Sequence, residues 1–136
     1  MSVLCSFWIL GHVVSMKNSR RMIPGRGARR PMVIKSQSAL EYERIFQAQV
    51  PRNAKAQFGQ HISAVFVVWY SSRLSDLDVE LIKDLLQKSG VILNDRQIVE
   101  QFCFKRFDKD RPRLFVQLSS VDYNERDSKL PACVSV

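Results

Sequence analysis

The alternation of apolar and polar residues predicts four strands. Apolar runs rich in β-branched and aromatic residues mark them at 4–14, 61–71, 98–107 and 113–120. The second run is unbroken from Ala64 to Tyr70, which is typical of a buried central strand. A turn-like sequence at 108–112 separates the last two runs, so we expect those two strands to form a hairpin.

Two further stretches have apolar residues at helical spacing. The first covers 36–50, and the second begins at Ser75 and ends at Gly90, a residue suited to the C-terminal end of a helix. In both, a serine precedes an acid by three residues, as in a capping box: Ser38 with Glu41, and Ser75 with Asp78. The order β-α-β-α-β-β predicts an α+β fold, a single small domain with its helices packed on one mixed sheet.

One segment holds most of the positive charge. The formal net charge is +8, and residues 17–40 contain seven basic residues and no acid. Prolines and glycines between Arg21 and Pro31 predict a mobile basic loop within 17–35. Guanidinium groups bind phosphate oxygens, and glycine lets the backbone approach them, so we expect nucleic-acid contact here. The basic residues concerned are Lys17, Arg20, Arg21, Arg26, Arg29, Arg30 and Lys35.

Acidic residues follow the most apolar strand. Asp76 and Asp78 lie just after it, at the edge where α/β folds commonly place ligands. In extended backbone both carboxylates point the same way, and two adjacent acids favour a bound divalent cation. Asp95 is a candidate third ligand, and Lys83 is a candidate to reach a metal-bound phosphate. Helix capping, turn formation and a solvated lysine explain the same residues, so spacing alone leaves both interpretations open.

Length and composition predict one domain over 1–121 and a C-terminal tail over 122–136. The three cysteines are widely spaced and the two histidines isolated, so we expect reduced thiols in a cytoplasm and no zinc site. Residues 1–16 lack charge but are too few to span a membrane, so no membrane association is expected. We find no phosphate-binding loop and no hydrolase motif in the sequence.

Over residues 7–121 the chain resembles the RusA family of Holliday junction resolvases from bacteria and their phages. The resemblance rests on Ser75-Asp76-Leu77-Asp78 before a helical lysine, and on the glycine, apolar pair and acidic turn within 90–99. Lys17-Asn18, the basic loop and the helix entry at 35–43 follow in the family's order. Two positions differ: Val79 stands where the family usually has Asn, and Asn94 where it usually has Asp.

The resemblance implies a homodimeric, magnesium-dependent endonuclease that binds four-way DNA junctions and makes paired symmetric nicks in recombination and repair. It also implies that Asp76, Asp78 and Asp95 bind the metal, that Lys83 is the catalytic lysine, and that Asn18 joins the basic residues in contacting DNA. Oxygen ligands favour Mg²⁺, with Mn²⁺ as a substitute. The expected location is the cytoplasm of a bacterial cell or a phage-infected host.

Two other functions stay open on this sequence. A basic protein that binds branched DNA without cutting it would use the acids structurally, and Val79 and Asn94 favour that interpretation. A related nuclease that prefers flaps or replication forks would need the same residues, because contacts to the DNA backbone carry no information about branching by themselves.

Overall fold

The computed structural model describes residues 2–18, 20–25, 27, 30–54, 59–122 and 133 of the chain. They form a four-stranded mixed sheet, two helices and a separate two-stranded ribbon. The strands are β1 (Val3–Leu10), β2 (Arg20–Ile23), β3 (Met32–Lys35), β4 (Ile62–Tyr70), β5 (Ile98–Phe107) and β6 (Arg113–Ser120). The helices are α1 (Gln37–Gln49) and α2 (Glu80–Lys88), and single 3₁₀ turns lie at Met16–Asn18 and Asp95–Gln97. The predicted α+β fold is confirmed.

The sheet is built around β4. Its strand order is β1-β6-β4-β5, with β4 parallel to β5 and antiparallel to β6. Alternate β4 residues (Ile62, Ala64, Phe66 and Val68) are fully buried. The same buried core includes Phe46 of α1 and Leu85 of α2, so the helices pack on this face of the sheet.

The predicted hairpin between the last two strands is wrong, because β4 lies between β5 and β6. The link at 108–112 passes the end of β4 instead, and the Asp108 N–H donates to the Tyr70 carbonyl oxygen at 2.8 Å. β5 reaches β4 through the α2 crossover, as parallel strands require. A short link joins two neighbouring strands of a sheet as readily as two strands that are separated by a third, so its length does not predict which strands pair.

The helix starts also differ from the prediction. Ser36, not Ser38, caps α1, because its Oγ accepts from the Ala39 N–H at 3.2 Å. α2 begins at Glu80 rather than near Ser75, and Asp78 Oδ1 accepts from the Glu80 N–H at 3.0 Å. The predicted C-terminal end is confirmed, since Gly90 follows α2 with a φ of 79°.

The basic segment is more regular than the predicted loop. β2 and β3 pair antiparallel from Arg20 opposite Lys35 to Ile23 opposite Met32, so both ends of the segment form a ribbon. Short apolar runs flank the prolines and glycines, Met22-Ile23 before them and Met32-Val33-Ile34 after them, and their β-branched residues favour strands. The mobility of the segment stays a prediction. The predicted C-terminal tail lies, apart from Asp122 and Cys133, outside the described residues.

Cys5 and Cys103 lie half-buried in β1 and β5, and no disulfide joins the cysteines that the structure describes. Burial raises the pKa of both thiols, which leaves them less reactive than an exposed cysteine. No helix in the described part of the chain is long and apolar enough to cross a bilayer.

The packing of α2 on the sheet can be tested with a matched pair of leucines. Leu85→Ala should lower the free energy of unfolding by about 2–5 kcal/mol, because Leu85 is 1% exposed and its removal leaves a cavity. Leu74→Ala should change it by less than about 0.5 kcal/mol, because Leu74 is 93% exposed. Urea unfolding followed by circular dichroism measures both, and equal losses would contradict the packing described.

Candidate functional site

A cavity of about 400 Å³ opens at the carboxyl end of β4. Three segments line it: residues 12–17 after β1, Ser38 at the start of α1, and the end of β4 with the following loop. Most of the lining is polar, including Ser15, Ser72 and Asp76. The chain leaves the cavity at Lys17, forms the ribbon, and returns at Ser38, so both ends of the basic segment adjoin this site.

Asp76 lies at the cavity in an ion pair with Lys17. Lys17 Nζ donates to Asp76 Oδ2 at 2.6 Å, and both side chains are largely exposed. This hydrogen bond is the main cause that lowers the pKa of Asp76 and raises that of Lys17. An ammonium, rather than a second carboxylate, therefore makes the closest contact with this acid.

Asp78 forms hydrogen bonds with three different segments of the chain. Its Oδ2 accepts from the Met16 N–H at 2.9 Å and its Oδ1 from the Glu80 N–H at 3.0 Å. The Asp78 N–H donates to the Tyr70 hydroxyl at 3.3 Å. Burial is the main cause that raises the pKa of Tyr70; the hydrogen bond from the Asp78 N–H lowers this pKa, and the negative charges of Asp78 and Asp76 raise it. Asp76 and Asp78 thus both lie close enough to Tyr70 for their charges to act on it.

Asp95 lies elsewhere, at the far end of α2. Its N–H donates to Gln87 Oε1 at 3.3 Å, in the last turn of the helix. Nine helical residues span about 13 Å, so α2 holds Asp95 well away from Asp78. Asn94 caps the 3₁₀ turn by accepting from the Arg96 N–H, a structural role for the residue that departs from the family pattern. Among the described residues, no group of three acidic, histidine or cysteine side chains lies close enough together to hold a metal ion.

Lys83 is not among the residues that line the cavity. It pairs with Glu80 at 3.0 Å, and its side chain is only 18% exposed. Its charge lowers the pKa of the Cys103 thiol on β5, against the larger rise caused by burial. Lys17 is therefore the ammonium beside the acids. The pairing of Lys17 with Asp76 could not be predicted from sequence spacing, because 59 positions separate the two residues.

The site fits a magnesium ion in part. Mg²⁺ is commonly held by one or two carboxylates together with substrate phosphates, and Asp76 and Asp78 supply two. The buried Ser15 hydroxyl has no hydrogen-bond partner within the described part of the chain, and it belongs to a residue that lines the cavity. Buried hydroxyls are nearly always satisfied, so this one favours a polar ligand in the cavity.

The predicted DNA contacts are described only in part. Arg21 and Arg30 are exposed, whereas Arg26 and Arg29 and the side chains of Asn18 and Arg20 lie outside what the structure describes. Lys35 Nζ donates to Glu43 Oε2 at 2.9 Å, and Lys88 Nζ donates to Glu43 Oε1 at 2.8 Å. Glu43 therefore anchors the ribbon to both helices and offsets part of the charge of Lys35.

Two basic residues near the acids were missed by the sequence analysis. Lys105 Nζ donates to the Arg73 carbonyl oxygen at 3.2 Å, and the charge of Lys105 contributes to the lowered pKa of Asp76. The Arg73 guanidinium lies over the Phe107 ring, 4.4 Å from its centroid. These residues come from different segments, and only the fold brings them to the carboxyl edge of β4 and β5.

The Glu43 contacts predict a pH dependence of stability. Hydrogen bonds from Lys88 and Lys35 lower the pKa of Glu43. Its contribution is therefore complete above the unfolded-state pKa of about 4.3 and is lost as pH falls through the folded-state value. Glu43→Gln should destabilise the protein by about 1 kcal/mol at neutral pH, with the difference from wild type vanishing in acid. Urea unfolding across pH tests this, with Glu41→Gln on the same helix as control. A difference that persisted in acid would contradict it.

No protein-family model matches this chain, and no curated protein matches it. The family resemblance therefore rests on the residues of the sequence alone.

Proposed function

We propose that this protein is a magnesium-dependent, structure-specific endodeoxyribonuclease that resolves Holliday junctions by paired symmetric nicks. The observation that supports it most is the ion pair of Asp76 with Lys17 in the lining of a polar cavity beside the basic ribbon, with Asp78 close enough for its charge to act on Lys17. In this proposal a homodimer binds four-way junction DNA in the cytoplasm of a bacterial cell or a phage-infected host, during recombination and repair.

Asp76 and Asp78 would hold the magnesium ion through carboxylate oxygens. A bound Mg²⁺ supplies Lewis acidity toward the scissile phosphate and a water of lowered pKa. Lys17 leaves Asp76 and pairs with a phosphate oxygen instead, an exchange with a small cost because exposed ion pairs are weak. Asp78 Oδ2 keeps its hydrogen bond to the Met16 N–H, which fixes the loop. Asp78 Oδ1, which accepts from the Glu80 N–H, is therefore the oxygen that would bind the magnesium ion instead.

Lys17 takes over the role that the sequence assigned to Lys83. An ammonium near the reacting phosphate offsets the negative charge that develops during attack. Lys17 is already beside Asp76, whereas Lys83 is held by Glu80 on the side of α2 that adjoins Cys103. Asp95 has no contact with this centre in the described fold of one chain.

A second function has specific support in the structure. Both carboxylate oxygens of Asp78 already accept backbone N–H groups, and Asp95 lies at the other end of α2. These are the contacts expected of structural acids, as in a basic protein that binds branched DNA without cutting it. A nuclease that prefers flaps or replication forks fits the same cavity and differs in its substrate.

Cleavage of a labelled four-way junction in Mg²⁺, with linear duplex in parallel, tests the proposal. We expect paired nicks on the junction alone and their loss with EDTA. Asp76→Asn should slow cleavage by about 100-fold or more while junction binding is kept, because the metal ligand is lost and repulsion of phosphate falls.

Asp84→Asn is the matched control, since Asp84 is an exposed acid on α2 that does not line this cavity. Tight junction binding with no nicking would favour the binding protein. Faster cutting of flaps or forks in direct competition would favour the third function.

The basic segment between β2 and β3 gives a separate prediction about binding. Replacing Arg26, Arg29 and Arg30 together by Ala should weaken junction binding, because each phosphate contact releases counterions. The slope of log affinity against log salt should fall by about 2–3 if all three residues touch phosphate. Fluorescence anisotropy over a salt series measures the slope. An unchanged affinity and slope would remove these three arginines from the DNA interface.

A further inference from the structure

The face of the main sheet opposite the helices carries exposed aromatic side chains. Trp8 and Phe102 are each 49% exposed on it, and Phe104 is 42% exposed. Strand register aligns the residues of this face in three rows. The rows are Leu10, Arg113, Trp69 and Arg106; Trp8, Phe115, Val67 and Phe104; and Ser6, Gln117, Val65 and Phe102. We call the surface that these three rows form the open face.

The aromatic rings form two groups on the open face. In the first group, Trp8 lies against Trp69 and Phe115, with ring centroids 5.4 and 4.9 Å apart. Phe102 and Phe104 form the second group, on the edge strand β5. The strands of Trp8 and Phe104 are about 14 Å apart, because three inter-strand spacings separate them. One flat ligand ring cannot contact both, so the open face offers two separate platforms for stacking.

Arginines lie among these rings. The Arg113 guanidinium lies 4.3 Å from the centroid of the Trp69 ring, and the Arg106 guanidinium lies 5.7 Å from that of Phe104. Asp108, in the link before β6, pairs with Arg113 at 2.8 Å, but none of the residues in the three rows is an acid. The open face therefore combines flat apolar rings with positive charge.

Basic residues continue beyond the open face, at the carboxyl end of β5. Arg73, Lys105, Arg106 and Phe107 line an open pocket of about 380 Å³ there. Arg106 belongs both to this pocket and to the first row of the open face. Lys105 lies near enough to Asp76 for its charge to lower the pKa of that acid. Positive charge thus extends from the open face toward the cavity at the end of β4.

From these observations we infer that the open face binds single-stranded nucleic acid, with unpaired bases stacked on the two groups of rings and phosphates paired with Arg106 and Arg113. Proteins that hold single strands combine aromatic side chains, on which bases stack, with basic groups that contact the backbone. Four-stranded sheets bind unpaired RNA bases in this way. The inference goes beyond the proposed function, which concerns a four-way junction at the cavity.

Double-stranded DNA matches the open face less well than a single strand does. The bases of a duplex are stacked on one another, so their flat faces cannot reach the exposed rings of Trp8 and Phe104. A duplex would meet the open face with its phosphates alone, and the aromatic side chains would then gain nothing from contact. The exposed rings therefore favour unpaired bases.

A second copy of the chain also matches the open face less well. It would bury Arg106 in a largely apolar contact, and burying an unpaired charge is costly. The three rows supply no acid to pair with this arginine. Glu100, which precedes Phe102 on the same side of β5, already has an interaction within the chain. A polyanion supplies the negative charge that a second open face lacks.

Tryptophan fluorescence tests the inference, because both tryptophans of the chain, Trp8 and Trp69, lie on the open face. An oligothymidylate of about 12 nucleotides, added without metal, should quench it. Phe104→Ala keeps both tryptophans and should weaken binding by about fivefold or more, because the stacking of one base is lost. Leu40→Ala is the matched control, since Leu40 is 43% exposed but lies on α1, and it should bind as wild type does.

Two further comparisons separate the open face from the rest of the basic surface. Arg106→Ala should weaken binding more than Arg44→Ala does, although each removes one exposed arginine, because Arg44 lies on α1. An unlabelled duplex of the same length should compete with the oligothymidylate only weakly. Circular dichroism checks that every variant keeps the fold.

Unchanged fluorescence in the presence of the oligothymidylate would overturn the inference, and a dimer in sedimentation equilibrium would then assign the open face to a second copy. Equal binding by wild type and Phe104→Ala would also overturn it, as would equal competition by the duplex. The experiment uses neither metal nor cleavage, so this inference and the proposed function can fail separately. A chain that binds the oligothymidylate on the open face but does not nick a junction would sink the proposed function alone.

Discussion

The burial of β4 is the constraint on which the rest of this fold depends. A strand whose residues are apolar on both faces needs a partner strand on each edge and a helical layer on one face to satisfy its backbone and cover its side chains. β5 and β6 supply the edges, and Phe46 and Leu85 belong to the layer above. The candidate site lies where this strand ends, so the core that stabilises the domain also fixes the position of Tyr70 and the loop that follows it.

The elements of this fold were readable from the sequence because each depends on local pattern. The bounds of β5 and β6 match the apolar runs that predict them, and Gly90 ends α2 as its backbone freedom suggests. The pairing of strands was not readable, because a five-residue link fits both a hairpin and a step past one strand. The cap of α1 was mispredicted for a similar reason. Ser36 and Ser38 are equally suitable capping residues by type, and only the fold selects Ser36.

At the site, residue type identified the acids but not their partners. Asp76 and Asp78 are two positions apart and stay together in any extended loop, so their proximity was predictable from the sequence. The positions of Lys17 and Asp95 relative to the acids are set by long-range geometry. The fold places Lys17 beside Asp76, 59 positions away in sequence, and the length of α2 separates Asp95 from Asp78. The acids therefore meet a lysine that the local spacing did not indicate.

The pairing of β1 with β6 has a consequence for how the protein folds. These strands come from opposite ends of the described chain, with Trp8 next to Phe115 and Phe7 next to Val116. During synthesis β1 has no strand to pair with until residues 113–120 leave the ribosome, so its apolar side chains stay exposed while the rest of the chain is made. Contacts this distant in sequence slow folding, and they expose early segments to wrong partners. Among the described strands, β1 is therefore synthesised first but is one of the last to pair.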